Sequence, residues 1–263
     1  MKLSKEVLGL MADPLHQFKI EKIVELPTFH IGGVPVDLSI TNSVMAMLIA
    51  VGLTCLFFLL TTARASIIPG RGQVMAEGVF GLIDDMADSI IGHDGKQFLP
   101  YVLTLFLFIL SCNLLGMFTY FTATSQIAVT LTLAAMTILL VLAVGFIRNG
   151  LGFFKLFVPS GVPWYILIVL VPIEVIAFIM RPVTLTLRLF GNMLGGHIVM
   201  KVFAGFIVTG LTLGGLGAVI GLASMGTIVA LTTLEFLVAY LQAFVFAVLT
   251  CVYLSDVVNI GHH

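Results

Sequence analysis

Arg188 lies in the run Arg181-Pro-Val-Thr-Leu-Thr-Leu-Arg188-Leu-Phe-Gly-Asn-Met-Leu-Gly-Gly-His197, inside an otherwise apolar tract. A guanidinium stays protonated at any physiological pH, so it cannot escape a membrane by losing its charge. Even lenient insertion scales put an arginine at a helix centre at about 2.5–3.5 kcal/mol. At about 100° per residue, Glu174, Arg181 and Arg188 fall within about 40° of one helical face. Asn192 lies one turn after Arg188 on that face, and His197 and Lys201 lie one turn apart on roughly the opposite face. A second apolar tract carries Glu235 and Gln242, seven positions apart on one stripe. The pattern joins a fixed charge to titratable groups, and intramembrane ionisable groups face a partner or a water-filled cavity. Histidine and glutamate are suited to passing protons, because their surroundings readily move their proton affinity toward neutrality.

Each residue has a plainer reading. Glu174 could neutralise Arg181 as a structural pair, Lys201 could snorkel to an interface, and Asp256 near the end of the chain could simply reach water. His197 and Glu235 could form a satisfied structural pair. Arg188 resists such a reading, because positions 184, 185, 191 and 192 carry no acid. Gly191 and Gly195, with Gly196 beside them, would let a second helix pass closely over Arg188.

These residues need long membrane helices to hold them. Of 263 residues 60% are hydrophobic and 10% charged, and the mean hydropathy is +1.18. A soluble domain carries roughly 25% charged residues, so this chain is a polytopic membrane protein. A formal net charge of −1 argues against a nucleic-acid partner. Cys55, Cys112 and Cys251 sit far apart in apolar stretches and read as reduced core or lipid-facing residues. There is no His-Glu-x-x-His zinc motif, and only His197 lies deep in a span, which disfavours a bis-histidine haem.

The expected organisation is a tail over 1–42, solvated and partly helical, and one multi-helix membrane domain over 43–263. A span takes roughly 20 apolar residues. Spans are expected at Ser43–Thr62, Phe98–Phe121 and Ile127–Ile147, and an amphipathic surface helix at Gln73–Gly92. That surface helix carries Glu77, Asp84, Asp85 and Asp88, with Val74, Phe80, Ile83, Ala87 and Ile91 at helical spacing. The tracts Trp164–Thr209 and Gly217–Val258 could each reach roughly 65 Å. Each is either several spans or one strongly tilted helix, and Gly205, Gly210, Gly214, Gly215 and Gly217 mark the turn between them. Basic loops at Arg64, Arg71 and Lys96 and at Arg148 and Lys155 belong in the cytoplasm. That places the N-terminus and the Thr122 loop outside and the C-terminus inside.

The sequence resembles subunit a of the F-type ATP synthase. The likeness centres on Arg188-Leu-Phe-Gly-Asn-Met-Leu-Gly-Gly-His197 and continues through Leu234-Glu-Phe-Leu-Val-Ala-Tyr-Leu-Gln-Ala-Phe-Val-Phe246, with Asn113-Leu-Leu-Gly116 and Pro182. It covers most of residues 43–258. The resemblance implies an all-α membrane protein with about five membrane helices and one amphipathic surface helix, the last two long and strongly tilted against a ring of c-subunits. It implies that Arg188 is the essential arginine, with Gln242 its neighbour and Asn192 a polar channel residue. His197 and Glu235 would line a proton path, and Glu174 would serve the aqueous access routes. Many bacterial relatives carry Glu where this chain has His197 and His where it has Glu235. The arrangement here is typical of mitochondrial and alphaproteobacterial forms.

The function implied is a proton-translocating stator subunit of a bacterial inner membrane, with no catalytic site and no cofactor of its own. Its partners would be the c-ring, peripheral-stalk b-type subunits, the lipid bilayer and protons. Two half-channels would load and unload the ring, separated by Arg188. The alternative is a stand-alone secondary transporter, which predicts paired halves with broken helices; no corresponding segments are visible.

Overall fold

The structure is a computed structural model, and it describes residues 22–25, 29–31, 34–36, 39–63, 68–92, 94–118, 123–158, 163–213 and 215–259. Most of the expected tail (1–21), the basic-loop residue Arg64, the end of the third expected segment (119–121), Thr122 and Gly214 lie outside the described residues. What is described of the tail is extended, not helical. β1 (Lys22–Val24) pairs antiparallel with β4 (Ile40–Thr41), and β2 (Phe29–Ile31) with β3 (Val34–Val36). Valine, isoleucine and phenylalanine favour the pleated backbone.

Six helices follow: α1 (Asn42–Thr62), α2 (Arg71–Ile91), α3 (Gly95–Phe118), α4 (Ile127–Asn149), α5 (Trp164–Leu213) and α6 (Leu216–Val258). Short 3-10 segments, Ala123–Ser125 and Gly150–Phe157, flank α4. Five helical segments are long and apolar enough to cross a bilayer, and α2 is the exception. The chain is a multi-pass α-helical membrane protein.

Hydropathy had left α5 and α6 open. Each is one continuous helix, of 50 and 43 residues, or roughly 75 and 65 Å at 1.5 Å per residue. Pro172 and Pro182 sit inside α5 without ending it. The turn between the two helices contains Gly215 at φ +49°, a left-handed conformation that glycine adopts without steric cost. The close approach beyond it depends on Gly210. A Cβ there would sit 2.5 Å from the Gly217 carbonyl oxygen and 2.9 Å from the Gly221 nitrogen.

The chain forms two compact units, each gathered from three stretches. The first takes in residues up to Val51, Leu110–Gln126 and Leu189–Leu241. Asn113 is its buried polar centre. Its Nδ2 donates to the Ala239 carbonyl at 3.2 Å, and its Oδ1 accepts from Thr124 at 2.8 Å. An amide with no exposed surface must find such partners.

The second unit takes in Gly52–Ile109, Ile127–Arg188 and the chain from Gln242 on. α2 buries Ala76, Ile83, Ala87 and Ile91, while Glu77, Asp85 and Asp88 face outward. Of the expected apolar face, Val74 and Phe80 prove exposed. α4 presents Thr130, Ala134, Thr137, Val141 and Gly145 inward, a stripe of mostly small residues that allows close packing. Tyr101 and Thr137 share a hydrogen bond at 3.0 Å. Phe153 folds back onto Gly145, where a Cβ would lie 2.6 Å from its ring. Arg148 pairs with Asp94, donates to Gln97 at 2.7 Å and stacks on Phe98. Ser255 donates to the Ile90 carbonyl at 2.9 Å, and Asn149 to the Val257 carbonyl at 2.7 Å, so the end of α6 is tied to α2 and α4. Cys112 and Cys251 are buried thiols and Cys55 is exposed.

Candidate functional site

In the first unit, α5 and α6 bring His197 and Glu235 together. His197 Nε2 lies 3.9 Å from Glu235 Oε1, and both side chains are buried. The separation is too long for a direct hydrogen bond, and a turn of the imidazole or an intervening water would bridge it. Neither carboxylate oxygen of Glu235 has a hydrogen-bond partner among the described residues. A buried carboxylate left that way demands a proton, a water or a cation.

A cavity of about 240 Å³ opens beside this pair, lined by Asn192, Gly195, Gly196, Met200, Leu234 and Glu235, among others. A water's share of liquid volume is about 30 Å³, so several fit. The lining supplies Asn192 and Glu235 as polar groups in an otherwise apolar wall. Thr232 donates to the sulfur of Met200 at 3.6 Å, fixing the register one turn away. Lys201 is half-buried one turn after His197 and acts on it electrostatically.

Within this chain, a Cβ on Gly191 or Gly195 would meet nothing within 4 Å. Gly196 is the tight position: a Cβ there would sit 2.6 Å from Glu235 Oε1. The missing side chain at Gly196 makes room for the carboxylate.

In the second unit, Arg188 is exposed and forms no ion pair with a described carboxylate. Gln242 is buried on α6. Glu174 is half-buried, and it does not neutralise Arg181. Arg181 instead donates to Asp256 Oδ2 at 2.8 Å. Its guanidinium also lies 4.7 Å from the Tyr253 ring centre and 5.6 Å from that of Phe178. The reading of Asp256 as a group that merely reaches water was therefore wrong. A signal for it existed: Asp256 is fourteen positions after Gln242 and twenty-one after Glu235, on the same stripe of α6.

Five apolar helices, a buried histidine–carboxylate pair beside a cavity and an arginine without an acidic partner among the described residues define a polytopic membrane protein with titratable groups inside its spans. Residues 44–255 match the family of the ATP synthase A chain. Curated relatives named ATP synthase subunit a are 50% identical over 256 residues in Hyphomonas neptunium, covering 97% of this chain and 99% of that one. The one from Mesorhizobium japonicum is 48% identical over 251 residues, covering 95% and 98%. That of Maricaulis maris is 45% identical over 263 residues, covering 96% and 100%. The chain belongs to the ATP synthase subunit a family, a family of membrane subunits and not of catalytic ones.

Proposed function

We propose that this chain is the proton-translocating stator subunit of a bacterial F-type ATP synthase. It works in the inner membrane against a ring of c-subunits and is held by peripheral-stalk b-type subunits. Family membership over nearly the whole chain supports the role. The observation that carries the site assignment is the buried, hydrogen-bond-deficient Glu235 beside His197 and a cavity of several waters' volume.

The mechanism follows from membrane electrostatics. A ring carboxylate can face lipid only when protonated, because its anion is costly there. Beside Arg188 the anion is favoured, since a nearby positive charge stabilises it. Arg188 cannot relay the proton, because its own is held too tightly. Two aqueous half-channels on either side of it therefore do not short-circuit. Protons load from one, ride the ring and leave by the other. His197 and Glu235 pass protons within one half-channel, with Asn192 holding water in the shared cavity. Gln242 keeps a polar amide near the arginine, and Glu174 draws water into an access route. The long helices α5 and α6 lie strongly tilted along the ring. The N-terminus faces the periplasm and the C-terminus the cytoplasm.

The test is ATP-driven acidification of inverted membrane vesicles carrying Arg188→Ala, with assembly of the complex verified. Loss of pumping in assembled complex is expected. Pumping at the parental rate would overturn the role given to Arg188.

A further inference from the structure

The stripe that carries Arg188 carries a second guanidinium. Arg181 precedes it by seven residues, about 10 Å along the axis and about 20° around it. A carboxylate arriving at such a stripe would meet two cations. The structure disposes of one of them. Asp256 accepts from Arg181 at 2.8 Å, Tyr253 and Phe178 cover the guanidinium, and the two charged side chains retain 25% and 33% of their exposure. Arg188 has no carboxylate partner among the described residues.

Resting on the reading of Arg188 above, we infer that Arg181 and Asp256 are a charge-isolating pair whose function is to silence each other, leaving Arg188 as the single open cation of the stripe. Two consequences of breaking the pair follow from charge alone. Without Asp256, Arg181 becomes a second positive site two turns from Arg188 and holds back the ring carboxylate. Without Arg181, Asp256 becomes a resident anion that competes for Arg188. Tyr253 lies 4.7 Å from the Arg181 guanidinium and also senses Arg188 and Asp256, so the three charges share one neighbourhood. Removing one member of a close charge pair strands the other, whereas replacing both with neutral groups of similar shape is often tolerated. Neither residue touches the transported proton in this scheme. Both act through Arg188.

The experiment compares Arg181→Gln, Asp256→Asn, the double variant and Arg188→Ala in inverted vesicles containing the whole complex. Acidification rate is normalised to assembled complex. Each single variant is expected to lose at least about fivefold in pumping, and the double to return within about twofold of the parent, a non-additivity diagnostic of coupled charges. A pair that only packs α5 against α6 predicts singles that lose assembled complex while pumping per assembled complex stays parental, and that result overturns the inference. Parental pumping in both singles overturns it too. If both singles fail to assemble while the double assembles and pumps, the pair is structural and the inference is overturned; if one fails, the pumping per complex of the other decides. Arg188→Ala separates the two levels. Its parental pumping would defeat the stator reading itself, whereas its loss beside normal singles would defeat only the isolating pair.

Discussion

Asp256 accepts a hydrogen bond from Arg181 at 2.8 Å across 75 positions of sequence. That one contact ties the N-terminal half of α5 to the last turn of α6. It also decides which of two guanidiniums on the same helical stripe remains available. Its neighbours are aromatic, so the pair is shielded as well as neutralised.

Arg188→Lys preserves the formal charge but replaces a group that cannot deprotonate with one that can, since burial readily strips an ammonium of its proton. Pumping is expected to fall at least about tenfold, as the function is one of charge fixity. Passive proton conductance of the same vesicles should rise above that of the parent. Both are read from the acidification and decay phases of a fluorescent pH trace. A lysine variant that pumps like the parent without leak would show that any cation suffices.

Glu235→Gln keeps the shape of the side chain and removes its proton chemistry. With assembly unchanged, ATP-driven pumping should drop by about an order of magnitude or more, the scale of a lost acid–base group. Glu235→Asp should retain more activity than the amide. An amide equal to the parent would return His197 and Glu235 to the structural pair considered at the outset.

Gly196→Ala and Gly195→Ala differ by one position and should differ sharply in effect. The first methyl meets Glu235 Oε1 at 2.6 Å, whereas the second meets nothing within 4 Å. The carboxylate must turn away from Gly196→Ala, so pumping per complex should fall while the amount of assembled subunit holds. For Gly195→Ala the amount of assembled subunit should likewise match the parent.

Gly210→Ala tests the hairpin itself. Its Cβ would strike backbone atoms of Gly217 and Gly221, which cannot swing aside as a side chain would. Overpacking of this kind costs about 1–3 kcal/mol, and the level of assembled subunit should fall. Gly205→Ala, with open space around it, is the control and should leave that level unchanged.

Asn113→Leu strands the Thr124 hydroxyl in a buried place and leaves the Ala239 carbonyl with its helical hydrogen bond alone. An unsatisfied group costs about 1–3 kcal/mol, so thermal stability of the extracted complex should drop. Adding Thr124→Val should cost less than it does in the parent, because the hydroxyl has already lost its acceptor.

The spans and their order were readable because apolar length alone reports them, and the chain has too few charges to mislead that reading. The seven-residue recurrence of Glu235 and Gln242, and of Glu174, Arg181 and Arg188, was readable from helical period. What periodicity cannot supply is the partner. Glu174 sits two turns from Arg181, too far to touch it, while Asp256 reaches it from another helix. The stripe containing Asp256 was visible, yet nearness to the chain end suggested solvent. Glycine spacing does not show which glycine matters within the chain: Gly196, about 100° around from Gly195, is the one that meets Glu235. Whether a largely apolar 50-residue tract makes one helix or two depends on a turn, and hydropathy does not report one.

Biosynthesis imposes an order on the hairpin at Gly215. His197 leaves the ribosome 38 residues before Glu235. At about 5–20 residues per second, that interval lasts roughly 2–8 s. During it, the nascent α5 must wait with His197 lacking Glu235, and with Arg181 lacking Asp256 for longer still. The insertion machinery, not the finished fold, must shelter those charges. Slowing translation between the two helices should therefore expose this subunit to quality-control proteolysis before its partners are ever encountered.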